Sequence, residues 1–309
     1  MRRIPSLDQT SLHPPVFRQS VTTNHQPRAI LWQRLLRQCA NRLGLVPYLR
    51  VMTTAFWYGP WRSLAIRYYQ WRKSNQPLRH ASASLFAGLD VASIVAQLET
   101  RGCAPGLQLP DAQVEAILNY SAQHNLVEQF NPDLSCKAIH ELTQDPGLLA
   151  VVRAYLGAEP LLHGCHLYWT HPPHDDIEKQ RRLRRQAFFH YDLADFKALA
   201  VFFYLTDVTP DCGPHVMIPG THRRKTWRQM LSRFLSDEQA QAKFGDNIVM
   251  ITGKRGSGFF EDLACYHKHA FGTQTRLVLS IGYVLQRQPE MRIQRTAYDK
   301  QRRQQGAGE

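Results

Sequence analysis

Apolar positions along the chain change their period near residue 160. Upstream they recur at helical spacing. Asp90 to Leu98 predicts a helix with Asp90 as its N-cap, since a carboxylate there can accept from the open N–H groups of the first turn. Pro110 opens a second helix running through Leu118, and Asp145-Pro146-Gly147 starts a third that ends near Gly157. Residues 83–160 are therefore expected to be mainly helical. Downstream, short apolar or alternating runs take over at 161–169, 187–192, 198–205, 215–218, 248–252, 258–262 and 277–285. Gly, Pro and Asp punctuate them, as in Pro210-Asp211, Gly213-Pro214 and Pro219-Gly220. Many short strands at this spacing predict an antiparallel sandwich or barrel.

The first 82 residues read differently. Residues 1–28 are polar and Pro-containing, which predicts disorder. Residues 29–45 read as a basic amphipathic helix ended by Pro47, and 51–73 as a second helical stretch rich in Trp and Tyr. The reading is thus a basic helical extension over 1–82, a main domain over 83–290 and a disordered Gln/Arg-rich tail over 291–309. Residues 1–80 hold 13 Arg and Lys against a single acid, Asp8, and so carry nearly all of the net charge of +13. Four of the six tryptophans (Trp32, Trp57, Trp61, Trp71) lie there too. Trp and Tyr favour the water–lipid boundary, and Lys and Arg are drawn to anionic headgroups. Residues 29–73 could therefore touch a membrane surface peripherally, or pack as a basic helical pair on the main domain. The charge also raises a nucleic-acid reading, but no helix-turn-helix, zinc-finger or RNA-binding signature accompanies it.

No run of about 18 apolar residues is present, which predicts no transmembrane helix. The segment Met1-Arg2-Arg3-Ile4-Pro5 lacks the apolar stretch of a secretion signal. Six scattered cysteines without a Cys-x-x-Cys pair read as free thiols, not as a disulfide framework or zinc site. The expectation is a cytoplasmic protein, peripheral on the inner face of the membrane if residues 29–73 bind lipid.

The candidate chemistry begins at His190-Tyr191-Asp192, at the end of the aromatic run Ala187-Phe188-Phe189. In extended backbone, side chains two apart share a face. An imidazole and a carboxylate would then stand side by side, and a second histidine brought in by the fold would complete a 2-His-1-carboxylate set. Such a set leaves one face of an octahedral ion open, as non-haem Fe(II) oxygenases require. Composition alone would produce roughly one His-x-Asp by chance. A second instance, His174-Asp175-Asp176, follows Pro172-Pro173 and reads as loop.

Several segments together are more specific. Tyr204-Leu205-Thr206-Asp207-Val208, then Cys212-Gly213-Pro214, then Pro219-Gly220-Thr221-His222, and finally the stretch from Asp262 to Arg276 occur in an order that resembles the phytanoyl-CoA dioxygenase family. The lead-in Tyr155 to Pro160 and the pair Tyr168-Trp169 are similar as well, so the resemblance runs over roughly residues 85–286. It implies a mainly β fold with flanking helices: a double-stranded β-helix, or jelly roll, holding Fe(II) and consuming 2-oxoglutarate and O2. It implies His190, Asp192 and His267 as metal ligands and Arg276 as the residue that binds the far carboxylate of 2-oxoglutarate. The family's Gly two after the distal histidine is His269 here, which leaves His267 and His269 as competing ligands. The spacing to Asp262 and Arg276 favours His267, with His269 near the iron or facing substrate. Tyr204 is a candidate for the cosubstrate pocket or for packing alone. His215 and His222 read as structural or solvated loop histidines.

Basic runs flank these motifs: Arg181-Arg182-Leu183-Arg184-Arg185, Arg223-Arg224-Lys225 and Lys254-Arg255. They suggest an electropositive rim, with Arg184 and Arg185 as substrate contacts for a phosphorylated, carrier-linked or lipid-linked molecule. The resulting expectation is an Fe(II)/2-oxoglutarate-dependent dioxygenase acting on a small or carrier- or lipid-linked substrate. Relatives that halogenate have a small residue in place of the carboxylate, so Asp192 favours hydroxylation. The rival is a non-catalytic jelly-roll protein acting through its basic N-terminal module.

Overall fold

The computed structural model describes residues 46–73, 83–86, 88–172, 188–223, 225–231 and 233–286. The expectations for 1–28, 29–45, Cys39, His174-Asp175-Asp176, Arg181 to Arg185 and 291–309 lie outside these residues. The chain divides into compact units at 1–46 and 47–309, and the second carries everything below.

Two helices come first, α1 (Val46–Tyr58) and α2 (Arg62–Lys73). Pro47 sits in the first turn of α1, where its missing N–H costs nothing, and the chain turns at Gly59-Pro60. Next come α3 (Val91–Arg101), β1 (Cys103–Gln108), α4 (Asp111–Gln123), β2 (Glu128–Phe130), α5 (Lys137–Thr143), α6 (Pro146–Leu156) and β3 (Leu161–Thr170). The region expected to be mainly helical thus also contributes β1 and β2. β1 carries Pro and Gly and shows little alternation, and β2 is only 3 residues long, so neither has a strand period to read. Asp90 caps α3 by accepting from the Ser93 N–H, and Asp145 caps α6 through the Leu148 N–H.

The remaining elements are β4 (Ala198–Tyr204), β5 (His215–Ile218), α7 (Trp227–Leu231), α8 (Asp237–Phe244), β6 (Val249–Ile251), β7 (Ser257–Asp262), β8 (Tyr266–His269) and β9 (Arg276–Val284). Among the described residues, the nine strands build two antiparallel sheets, one of six strands in the order β1-β7-β4-β9-β3-β2 and one of three in the order β6-β5-β8. The fold thus centres on two β-sheets with flanking helices.

Strand parity decides what faces what. β4 is buried along its whole length because its two faces serve two cores. Leu199, Val201 and Phe203 join the core shared with α3 to α6, while Ala198, Ala200, Phe202 and Tyr204 face a second core containing Met217 and Phe259. In β9, Leu277, Leu279 and Ile281 face the helices, and Val278 and Val284 the second core. Arg276 shares their parity. In β7 the same alternation sends Phe259 and Glu261 one way, Phe260 and Asp262 the other. Asp262 accordingly accepts from the Tyr155 hydroxyl of α6 at 2.5 Å.

Candidate metal centre

The inner faces of β5, β7, β8 and β9 converge on a polar cluster within an otherwise apolar core. His215 pairs in register with His269, and Met217 with His267. His190 belongs to no long strand. It forms an isolated antiparallel bridge to His267, and Phe189 another to Leu235. The strand expected at 187–192 is thus reduced among the described residues to two bridged positions. These still turn His190 and Asp192 to one side and bury Tyr191 on the other.

One ligand atom each from His190, Asp192 and His267 lie within 4.8 Å of one another. Asp192 Oδ1 is 3.9 Å from His190 Nε2, and Asp192 Oδ2 is 3.9 Å from His267 Nε2. Both imidazoles are oriented by the same local device. His190 Nδ1 lies 3.0 Å from the Phe188 carbonyl and His267 Nδ1 3.1 Å from the Cys265 carbonyl. A carbonyl only accepts, so Nδ1 donates in each and the Nε2 lone pair is left for a metal. Burial lowers the pKa of His267 to about 4, which keeps it in the neutral, ligating form. Asp192 is held by its backbone: its N–H donates to Leu263, and its carbonyl accepts from the Tyr58 hydroxyl at 2.6 Å.

His269 lies elsewhere in the cluster. Its Nδ1 is 3.1 Å from an Arg276 Nη2, so the imidazole accepts from the guanidinium. Arg276 is completely buried, and its Nε and Nη1 have no hydrogen-bond partner among the described residues. The rings of Tyr204 and Tyr168 stand nearby: the Arg276 guanidinium is 5.8 Å from the Tyr204 ring, and Tyr168 meets His269 edge-on at 5.8 Å. The Tyr204 hydroxyl donates to the Ile251 carbonyl at 2.7 Å and accepts from the His215 N–H at 3.2 Å. Tyr204 thus offers the Arg276 guanidinium its ring, while its proton is already committed.

Two site residues escape the sequence reading. His215, read as the start of the 215–218 run but as a structural or solvated loop histidine, is the buried first residue of β5, and its ring centroid lies 5.4 Å from that of His267. Glu261 is wholly buried, with one carboxylate oxygen 2.6 Å from His215 Nε2 and the other 3.5 Å from His267 Nδ1. The short contact to His215 is within range by distance, although its angle is not that of a well-formed hydrogen bond. Burial pushes Glu261 up to about 8 and His215 down to about 3, so both are neutral near pH 7. An acid at the end of an apolar strand, one residue before Asp262 and of opposite parity, was the available signal. His222 is structural: it is buried, 3.3 Å from the Glu99 carbonyl and 3.5 Å from Cys265 Sγ.

The electropositive rim is not borne by Lys225, Lys254 or Arg255. Lys225 is buried among the rings of Tyr58, Tyr191 and Tyr266 and donates to the carbonyls of Thr221 and Ala264, so its charge turns inward. Lys254 and Arg255 pair with Asp207 and Glu115. Arg184 and Arg185 lie outside the described residues. The five described cysteines are free and buried, and none is a member of the ligand cluster.

The family described as Phytanoyl-CoA dioxygenase (PhyH) matches residues 112–270, a span that includes His190, Asp192, His267 and His269 but stops short of Arg276. No curated protein matches the chain. Three solved structures are similar at low identity. AviO1 from Streptomyces viridochromogenes Tue57 is 15% identical, with 64% of this chain and 96% of that one covered and a TM-score of 0.44. SnoN, described as a non-haem α-ketoglutarate-dependent epimerase from nogalamycin biosynthesis, is 17% identical, with 63% and 82% covered and a TM-score of 0.45. EctD from S. alaskensis, solved with 2-oxoglutarate and 5-hydroxyectoine, is 20% identical, with 68% and 80% covered and a TM-score of 0.46.

Proposed function

The chain belongs to the phytanoyl-CoA dioxygenase family, and from that premise we propose that it is an Fe(II)- and 2-oxoglutarate-dependent oxygenase that hydroxylates a small, carrier-linked or lipid-linked organic substrate. Its two facing sheets are read as the double-stranded β-helix of such enzymes. The observation that carries the reading is Arg276. A guanidinium taken out of water without a counter-charge costs several kcal/mol, and two of its nitrogens have no hydrogen-bond partner among the described residues. A carboxylate is the ligand that a planar, permanently charged fork fits best. The far carboxylate of 2-oxoglutarate would fill that role.

The donor set suits Fe(II): two imidazoles and one carboxylate, with no thiolate. His190, Asp192 and His267 would hold the metal, and Arg276, oriented by His269, would hold the cosubstrate. When bound, iron and 2-oxoglutarate supply the oxidising chemistry, in which O2 is consumed, succinate and CO2 are released and a substrate C–H bond is oxidised. Glu261 and His215 back His267 from the buried side and stay neutral, so they add no net charge behind the ligand. Phe202 and Phe259, stacked at 5.0 Å, pack against His215 and help exclude water from that side. The carboxylate at 192 supports hydroxylation, because it occupies the position that a halogenating site must leave free.

The test is 2-oxoglutarate turnover without a primary substrate. Succinate should form slowly, require Fe(II), and disappear in Asp192→Ala. Iron-bound protein that forms no succinate would instead favour a non-catalytic role.

A further inference from the structure

Helices α1 and α2 are two-sided. On the inner side, Trp57 packs against Phe196 with ring centroids 4.8 Å apart, Tyr58 reaches the Asp192 carbonyl, and Arg62 donates to the carbonyls of Phe196 and His222. The outer side is apolar and exposed. In α1, Tyr48, Met52 and Phe56 recur every fourth residue, and Met52 is 69% exposed. Trp61 and the α2 residues Leu64, Tyr68 and Trp71 continue at spacings of three, four and three, with Leu64 69% and Trp71 75% exposed. At 3.6 residues per turn each set is a single stripe opposite the packed residues. Trp61 Nε1 donates to the Phe56 carbonyl at 2.8 Å, which joins the two stripes across the Gly59-Pro60 turn.

Soluble proteins rarely leave so many large apolar side chains together in water. The surrounding charge narrows the occupant. Residues 46–73 contain five Arg and Lys and no Asp or Glu. Arg67 and Arg72 are exposed and fall on either flank of the α2 stripe. An apolar strip with aromatic members and basic flanks fits a bilayer bearing anionic headgroups: the rings sit at the acyl boundary and the arginines reach outward to phosphates. Neither helix is long and apolar enough to cross a membrane, so contact would be in the plane of the surface.

We propose that the outer face of α1 and α2 is a docking surface for an anionic lipid bilayer. This does not depend on the oxygenase reading. The docked helices bond directly to the chain around Asp192 and Phe196, so docking and the candidate metal centre share one rigid connection.

The test is sedimentation of the full chain with vesicles of phosphatidylglycerol and phosphatidylethanolamine against vesicles of phosphatidylcholine alone. Binding should be at least roughly tenfold stronger to the anionic vesicles, weaken at high salt, and shift Trp emission to the blue. The double variant Met52→Gln, Leu64→Gln should lose roughly tenfold or more in binding while keeping its melting temperature and Fe(II) affinity. Equal or absent binding to both vesicles overturns the proposal. So does binding that the double variant leaves intact, which would place lipid contact in residues 1–45. A dimer in solution that the double variant dissolves would identify a second copy as the occupant and would equally overturn it.

Discussion

His190 and His267, far apart in the chain, exchange both backbone hydrogen bonds, N–H to C=O in each direction, at 2.9 and 2.7 Å. The bridge brings their ring centroids to 4.7 Å. Both candidate ligand positions are therefore fixed by main chain, and each imidazole is turned by a carbonyl two residues back. His269 shares the β8 face of His267, but its Nδ1 is taken up by the Arg276 guanidinium. His267→Ala is expected to abolish tight Fe(II) binding. His269→Ala is expected to keep Fe(II) and raise the KM for 2-oxoglutarate by roughly tenfold, as one hydrogen bond to a charged group implies. Metal titration and steady-state kinetics on the two variants check this. The reverse ranking would reassign the ligand.

Arg276 gives an effect of opposite sign with and without cosubstrate. Arg276→Met removes a buried charge that lacks a carboxylate partner among the described residues, so the variant without 2-oxoglutarate should melt higher than the parent. With 2-oxoglutarate present the parent should gain stability by ligand linkage and the variant should not. Thermal melts with and without cosubstrate measure both. Arg276→Lys keeps the charge but loses the fork, and its KM for 2-oxoglutarate should rise by roughly 10- to 100-fold with Fe(II) binding unchanged.

Tyr58 tests whether α1 supports the centre. Its hydroxyl donates to the Asp192 carbonyl, and its ring packs edge-on against Tyr191 at 5.2 Å. Tyr58→Phe keeps the ring and removes one hydrogen bond, so unfolding in denaturant should show a loss of about 0.5–1.5 kcal/mol. Iron affinity should fall with it, because Asp192 loses one of its two backbone anchors. Unchanged iron affinity would mean that the Leu263 bond alone positions Asp192.

Lys225 supplies a pH signature. Burial among three tyrosine rings lowers its pKa to about 7, whereas in the unfolded chain it titrates near ~10.4. Between these values the unfolded state binds the extra proton, so stability from this group rises with pH, by at most ~1.4 kcal/mol per pH unit. Below about pH 7 both states are protonated and the cost of burying the charge is constant. The stability difference between parent and Lys225→Met should therefore climb in the parent's favour from pH 7 to 10. A difference flat in pH would mean that Lys225 keeps its proton in the cage.

The sequence makes the strands of the two sheets legible wherever both faces are buried or alternate. His215–Ile218 is read at its observed bounds, and the ends of β3, β4, β7 and β9 fall within one residue of the apolar runs. Asp90 and Asp145 are visible as caps because capping is local chemistry. β1 and β2 are illegible because pairing with β7 and β3, not their own composition, makes them strands. His190 and Asp192 are readable from a period of two. Their convergence with His267 follows only from a resemblance, since nothing local in either segment encodes the bridge between them. Glu261 and His215 are hidden because buried polar residues in strands look like strand ends. The basic run at Arg223 to Lys225 shows that charge in sequence does not fix direction in space, for Lys225 points inward among rings.

The central claim is that His190, Asp192, His267 and Arg276 assemble one site for Fe(II) and 2-oxoglutarate. Anaerobic titration of Fe(II) into protein with 2-oxoglutarate tests it most directly. A charge-transfer absorption of the iron-bound cosubstrate should grow to one equivalent of Fe(II) and be absent in His267→Ala. Fe(II) binding without that absorption, or the absorption persisting when His267 is removed, would contradict it.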